Sequence, residues 1–281
     1  MKIIGVDIGG THIDVALIED KKIIKSYSCR TPSTENKETV TSAVEQAIQK
    51  LFTGDVAGIG VGVPGLVDLE TNDVLDVYNI PSWDRVPLKA ILEKRFQKPV
   101  FVNNDANCFA IGEKYFGKGR NYKNFVGITF GTGVGTGIVI DDKLYSGRFC
   151  GAGEFGTIYY LDKSVEAYSS GQFFKDQNLD GKILAEKATA GDEESIQLFY
   201  EFGKHIGRAI ANVLFALAPE AVIFGGSVSR SYQLFEPGLR WVMENEFPYQ
   251  RLWKALKIEI SDLENSAVLG ASSLVLEVLE A

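Results

Sequence analysis

Cysteine is scarce in this chain. Its three residues, Cys29, Cys108 and Cys150, are too far apart in sequence for a C-x-x-C pair. That spacing excludes a dithiol redox motif and a compact cysteine metal knuckle, and all three read as reduced packing residues. Long apolar runs are missing as well. Nothing approaches the ~20 residues of a membrane helix, and the opening MKIIGVDIGG lacks the architecture of a signal peptide. A cytoplasmic location with no membrane partner is therefore expected. Basic blocks are also absent. With a formal net charge of -8 and no Lys/Arg-rich stretch, broad binding to a phosphate backbone is excluded, so no nucleic-acid partner is expected. The 281 residues lie near the upper size of a single hydrophobic core, which makes two lobes the natural expectation.

Glycine and short apolar runs are plentiful, and they are ordered. Lys2 to Asp7 is a nearly continuous apolar run that ends in Asp-Ile-Gly-Gly-Thr, the pattern of a buried strand delivering a carboxylate into a glycine turn. Strands over Ile13 to Ile18 and Ile23 to Ser28, a helix over Glu35 to Leu51 and a strand over Val56 to Val63 follow. The same order returns later. Ile4 to Lys21 lies without a gap over Val126 to Lys143, so that Gly9 meets Gly131 and Glu19-Asp20-Lys21 meets Asp141-Asp142-Lys143. A long helix from Glu193 to Ala218 and a strand over Ala221 to Phe224 complete the second copy. Glycine turns of this kind bring backbone N–H groups close to phosphate oxygens, because no Cβ stands in the way. The expected division is 1–118 for the N-terminal lobe, 119–264 for the C-terminal lobe and 265–281 for a terminal helix.

Seven segments in order carry a family likeness: Asp7-Ile-Gly-Gly-Thr11, Gly62-Val-Pro-Gly65, Asn103-Asn-Asp-Ala-Asn107, Gly131-Thr-Gly-Val-Gly-Thr-Gly137, Gly151-Ala-Gly-Glu-Phe-Gly156, Val165-Glu-Ala-Tyr-Ser-Ser-Gly171 and Phe224-Gly-Gly-Ser227. Over nearly its whole length the chain resembles the ROK family (repressor, open reading frame, kinase) of the actin-like ATPase superfamily. The resemblance implies an α/β, two-lobed actin-like (ribonuclease H-like) fold with a duplicated βββαβα core, whose last helix returns to the first lobe. It also implies a homodimer and an ATP- and Mg²⁺-dependent sugar kinase.

Phosphoryl transfer to an alcohol needs a cradle for the triphosphate, a metal ion and a base beside the nucleophile. Asp7, at a strand end, suits Mg²⁺, directly or through water. Gly9, Gly10 and Thr11 are expected at the phosphates. By resemblance Thr132 and Gly133 join them, and Gly225 and Gly226 flank the adenosine. Asp105 opens the helical segment after Asn103-Asn104, where it can cap the helix. The resemblance makes it the general base, with Asn104 on a sugar hydroxyl and Gly65, Asn79, Glu154 and Glu166 completing the sugar contacts. Glu166 also reads as an ordinary first-turn acid. His12 and His205 read as structural.

The chain departs from the family at one place. Most relatives follow the acidic glycine loop with a histidine and a cysteine cluster that bind a structural zinc, whereas here Thr157 holds the histidine position and Ile158 to Ser164 contains no cysteine. No structural zinc is expected. The leading expectation is a neutral hexose, glucose favoured, phosphorylated at the 6-hydroxyl. N-acetylmannosamine, N-acetylglucosamine or fructose as the acceptor, and a sugar-sensing protein with weak catalysis, stand as alternatives. A transcription regulator is disfavoured, since the first strand starts at residue 2 and leaves no room for a DNA-binding segment.

Overall fold

The computed structural model describes residues 1–279. In chain order its principal elements begin with β1 (Lys2–Ile8), β2 (His12–Glu19), β3 (Lys22–Arg30), α1 (Lys37–Gln49) and β4 (Val56–Val63). Next come α2 (Leu88–Phe96), β5 (Val100–Asn104), α3 (Asp105–Phe116), β6 (Phe125–Phe130), β7 (Val134–Ile140) and β8 (Lys143–Leu144). The remainder comprises α4 (Val165–Ser169), α5 (Gly181–Thr189), α6 (Glu193–Leu217), β9 (Ala221–Gly225), α7 (Tyr232–Asn245), β10 (Lys257–Ile260) and α8 (Ser266–Leu279). Two mixed five-stranded sheets result, with orders β3-β2-β1-β4-β5 and β8-β7-β6-β9-β10. Adding five to each number of the first order gives the second, so the duplication read from the glycine turns extends to the topology.

The gapless superposition holds at the glycine turns, where His12 opens β2 and Val134 opens β7, and then slips by one residue. The left-handed pair is Asp20-Lys21 in the first copy (φ 50° and 63°) but Asp141-Asp142 in the second (φ 49° and 67°). A two-residue hairpin turn of this type needs two consecutive positive φ values, and aspartate tolerates them better than lysine. The second copy accordingly shortens its strand and turns on its two aspartates.

The chain forms two compact units, Met1–Lys123 with Gly137–Ala152 and Asp262–Ala281, and Asn124–Thr136 with Gly153–Ser261. This division differs from the expected boundary near residue 118, for a packing reason. The far end of β7 and β8 lie on α3 and α8: Lys114 pairs with Asp142, and the Leu144 N–H donates to Glu277 (3.1 Å). Gly137 lies so close to α3 that a Cβ there would stand 2.4 Å from the Ala106 carbonyl oxygen.

In the first unit the apolar faces of β1, β2, β4 and β5 close on α1 and α2 around Ile4, Val6, Ile48, Ile59 and Trp83. Helix α1 starts two residues later than its apolar pattern suggests, because Asn36 caps it by accepting from the Thr39 N–H (2.9 Å). On the other face lies α8, buried from Val268 to Leu276. Its small residues let it sit directly on the sheet. A Cβ on Gly5 would meet the Val268 carbonyl oxygen at 2.0 Å, and one on Gly60 would meet that of Ala271 at 1.8 Å.

In the second unit α6 and α7 pack on β6, β9 and β10 through an aromatic core of Phe130, Phe199, Phe202, Phe224 and Phe235. Asp192 caps α6, and Ala218 ends it in a left-handed turn (φ 42°).

Candidate functional site

The first unit gathers Asp7, the Gly9–Thr11 turn and Asp105 at the carboxyl ends of β1 and β5. Asp7 lies beside Gly62, where a Cβ would come within 3.6 Å of its Oδ1. Burial, then the charges of Asp105 and Asp14, push the Asp7 carboxyl up to about 7. Asp14 is its direct cross-strand partner. Like charges opposed in this way are unfavourable, which is part of what raises the Asp7 carboxyl. Sequence reading passed over Asp14, although its place in an antiparallel hairpin is what brings it opposite Asp7.

The helix cap is Asn104 and not Asp105. The Asn104 side-chain oxygen accepts from the N–H groups of Ala106 (2.9 Å) and Asn107 (3.4 Å), and its amide donates to the Gly65 carbonyl (3.2 Å). A cap must stand outside the helix with extended backbone, and Asn104 does so with ψ 147°. Asp105 becomes the first helical residue, exposed, with one carboxylate oxygen accepting from the Ala106 N–H (2.8 Å). Asn103 is framework: its amide donates to Ser146 Oγ (3.1 Å), and its oxygen accepts from the Asn104 N–H (2.8 Å) and from buried Asn107 (2.9 Å).

Within the turn, the Gly9 N–H donates to the His12 carbonyl (2.8 Å), which closes the turn. Gly10 packs against Asn79, where a Cβ would lie 2.6 Å from that residue's own Cβ. Asn79 is exposed, as are Thr11 and His12. Gly65 permits close packing against the chain at Leu75 and Val77.

The second unit gathers Glu154, Glu166 and the Gly131–Gly133 turn. Glu166 is anchored, since its Oε2 accepts from the Val134 N–H (2.8 Å) and lies over Gly133, where a Cβ would come within 2.3 Å of it. The glycine at 133 thus makes room for a carboxylate. Desolvation and the Glu166 charge raise the Glu154 carboxyl above its usual range. Gly153, at φ +95°, holds that loop against β7; a side chain there would be strained and would meet the Thr136 carbonyl oxygen at 2.5 Å. Thr157 Oγ1 donates to the Glu154 carbonyl (2.8 Å) and closes the turn.

Beside Gly131 and Thr132 opens a cavity of about 730 Å³, lined among others by Phe174, Phe199, Ser227 and Arg230. That volume suits a nucleoside-sized ligand, with apolar walls and a few polar groups. Gly226 turns the chain with φ +82° just before the lining residue Ser227, after Gly225 ends β9. Sequence reading named the two glycines but not Phe174, Ser227 or Arg230. The motif Phe224-Gly-Gly-Ser227 pointed to the last turn, while no local pattern marks the others.

Comparison with known proteins agrees with this architecture. The ROK family profile matches residues 3–278. A glucokinase of Thermotoga maritima is 32% identical over 99% of this chain and 98% of its own. A xylose repressor of Caldicellulosiruptor bescii is 29% identical over 98% of this chain and 78% of its own. The crystal structure of a ROK family glucokinase from Streptomyces griseus in complex with glucose and AMPPNP superimposes with a TM-score of 0.80 at 29% identity, covering 98% of this chain and 99% of that one. The fold is that of the actin-like ATPases, and the chain belongs to the ROK family.

Proposed function

We propose that the protein is an ATP-dependent hexose kinase that phosphorylates the 6-hydroxyl of a neutral hexose, glucose first among them. The observation that carries this is Asp105, released from capping by Asn104 and set at the end of β5 close enough to Asp7 for their charges to interact. A carboxylate so placed accepts the proton of an attacking hydroxyl. The family includes a repressor among its relatives, and the retained Asp7–Asp105 pair favours the enzyme over a sensor.

The residues present fit Mg²⁺, which takes oxygen ligands, keeps several waters and is held by one or two carboxylates together with substrate phosphates. Asp7 would hold it, directly or through water, and bound Mg²⁺ would neutralise charge on the transferred phosphoryl group. Thr11, Gly10 and Thr132 are assigned to the phosphates. The cavity beside Thr132 is assigned to the adenosine, with Gly225 and Gly226 shaping its turn. Glu154 and Glu166 are assigned to sugar hydroxyls, each of which donates a hydrogen bond to a carboxylate. Asn104 and Gly65, which bond one another, set the position of Asp105, and Asn79 steadies the Gly10 turn.

A coupled ADP-release assay over a panel of sugars tests this reading. Neutral hexoses should be turned over, and NMR of the product should place phosphate on the 6-oxygen. Glu154→Gln should raise the sugar KM, because a neutral amide accepts more weakly than a carboxylate. Phosphate on a ring hydroxyl, or no turnover of any neutral hexose, would refute the substrate assignment.

The purified protein should also contain no stoichiometric zinc, and should keep its activity after zinc chelation once Mg²⁺ is restored. The segment Ile158–Ser164 offers no cysteine, and Thr157 is engaged with the Glu154 carbonyl. One tightly held zinc per chain by elemental analysis would contradict this.

A further inference from the structure

Glu154 and Glu166 flank a very small hairpin. It pairs only Tyr159 with Ser164 and Tyr160 with Lys163, around a turn in which Leu161 is left-handed (φ 55°). Its outer side is bare, with Tyr159 77% and Leu161 58% exposed. A two-stranded ribbon of this size does not hold its own shape in water. Something must fix it if the two glutamates are to keep their places.

The fixing point is Tyr160. Its hydroxyl lies 3.0 Å from His205 Nδ1 and 3.3 Å from Arg208 Nη1, both on α6. Arg208 is in turn clasped by Glu246, just past the end of α7, through two bonds of 2.9 and 2.7 Å. Arginine can only donate, so the phenol oxygen accepts from Arg208, and the phenol's own proton is assigned to His205 Nδ1, the ring nitrogen within hydrogen-bond reach. In that assignment the neutral imidazole carries its proton on Nε2. Burial, then the Arg208 charge, lowers its pKa to about 4, which keeps the acceptor available at neutral pH. The Tyr168 and Phe173 rings close on the imidazole at 5.0 and 5.7 Å, and the Tyr168 hydroxyl donates to Asp162 in the hairpin turn.

We infer that Tyr160 is a positioning residue: the chain Glu246–Arg208–Tyr160–His205 clamps the 159–164 hairpin to α6 and thereby holds Glu154 and Glu166 in their sugar-binding arrangement. This rests on the reading of those glutamates as sugar contacts. Both ends of the hairpin transmit the constraint. The Val165 N–H donates to the Ile158 carbonyl (2.9 Å), and Ser164 caps α4, the helix that carries Glu166. A hydrogen-bonded support behind binding groups sets their geometry without touching the ligand.

The test compares Tyr160→Phe, His205→Phe, His205→Asn and Glu154→Gln in the full chain, reading sugar KM, ATP KM, kcat and thermal midpoint. Loss of the phenol or of its acceptor should raise sugar KM about 3- to 10-fold, the worth of one net hydrogen bond, with ATP KM within about twofold. Asparagine places an oxygen near the Nδ1 position, so His205→Asn should restore most of the sugar affinity that His205→Phe loses. Tyr160→Phe with unchanged sugar KM, beside a Glu154→Gln variant whose sugar KM rises, overturns the clamp and leaves the sugar reading standing. A lower midpoint with both KM values moved alike, or no rescue by asparagine, also overturns it. A Glu154→Gln variant with unchanged sugar KM overturns the sugar reading itself and this proposal with it.

Discussion

Asp105→Asn is expected to lower turnover by about 10²- to 10⁴-fold, the range for removing a positioned general base. The amide keeps the shape of the side chain and an oxygen for the Ala106 N–H, so the local geometry survives. The helix keeps its cap because the cap is Asn104. What disappears is the negative charge that would take the hydroxyl proton. Loss of a favourable dipole interaction at the first helical position costs up to about 1 kcal/mol, and relief of repulsion on Asp7 offsets part of it. The thermal midpoint should therefore stay close to that of the parent protein while kcat collapses. Steady-state kinetics with a coupled ADP assay, run beside thermal unfolding, separates the two. Near-parental turnover would remove Asp105 from the role of base.

Gly60→Ala is expected to be the most damaging of the small substitutions for stability. A Cβ on Gly60 would stand 1.8 Å from the Ala271 carbonyl oxygen, and that oxygen belongs to the backbone of a buried helix. Rotating a side chain cannot relieve the overlap, so α8 as a whole must move off β1 and β4. Overpacking a core ordinarily costs about 1–3 kcal/mol; a displaced helix puts this case at or above the upper end. Against a typical domain stability of about 5–15 kcal/mol, that is a large share. Urea unfolding should show a lower midpoint with an unchanged slope. Gly54→Ala is the control: a Cβ there meets nothing within 4 Å, and stability should change little. Equal midpoints for the two variants would mean that α8 does not sit on Gly60 as described.

Much of this was legible in the primary structure because it is local. An apolar run ending in Asp7 and a glycine turn reads as a strand and its exit, and the second copy at Gly131 reads the same way. Boundaries near caps were harder. Asn36 and Asn104 each start a helix, yet beside them Glu35 reads as a helical residue and Asp105 as a plausible cap. Only the backbone angles separate the cap from its neighbour. The slip at Asp141-Asp142 had the same origin, since a gapless superposition cannot sense which two residues take positive φ.

The sequence by itself determined the succession of strands and helices along the chain, its duplication, the glycine turns and the placing of Asp7 and Asp105 at strand ends. Each of these follows from periodicity and turn chemistry within a few residues of chain. The tertiary structure alone decided that Gly133 makes room for Glu166, that Asp14 opposes Asp7, and that α8 presses on Gly5 and Gly60. It alone gathered Phe174, Phe199, Ser227 and Arg230 around one cavity and set Tyr160 against His205 and Arg208. These are contacts between residues distant in sequence. Their geometry depends on how whole elements pack, and packing leaves no periodic trace in the chain.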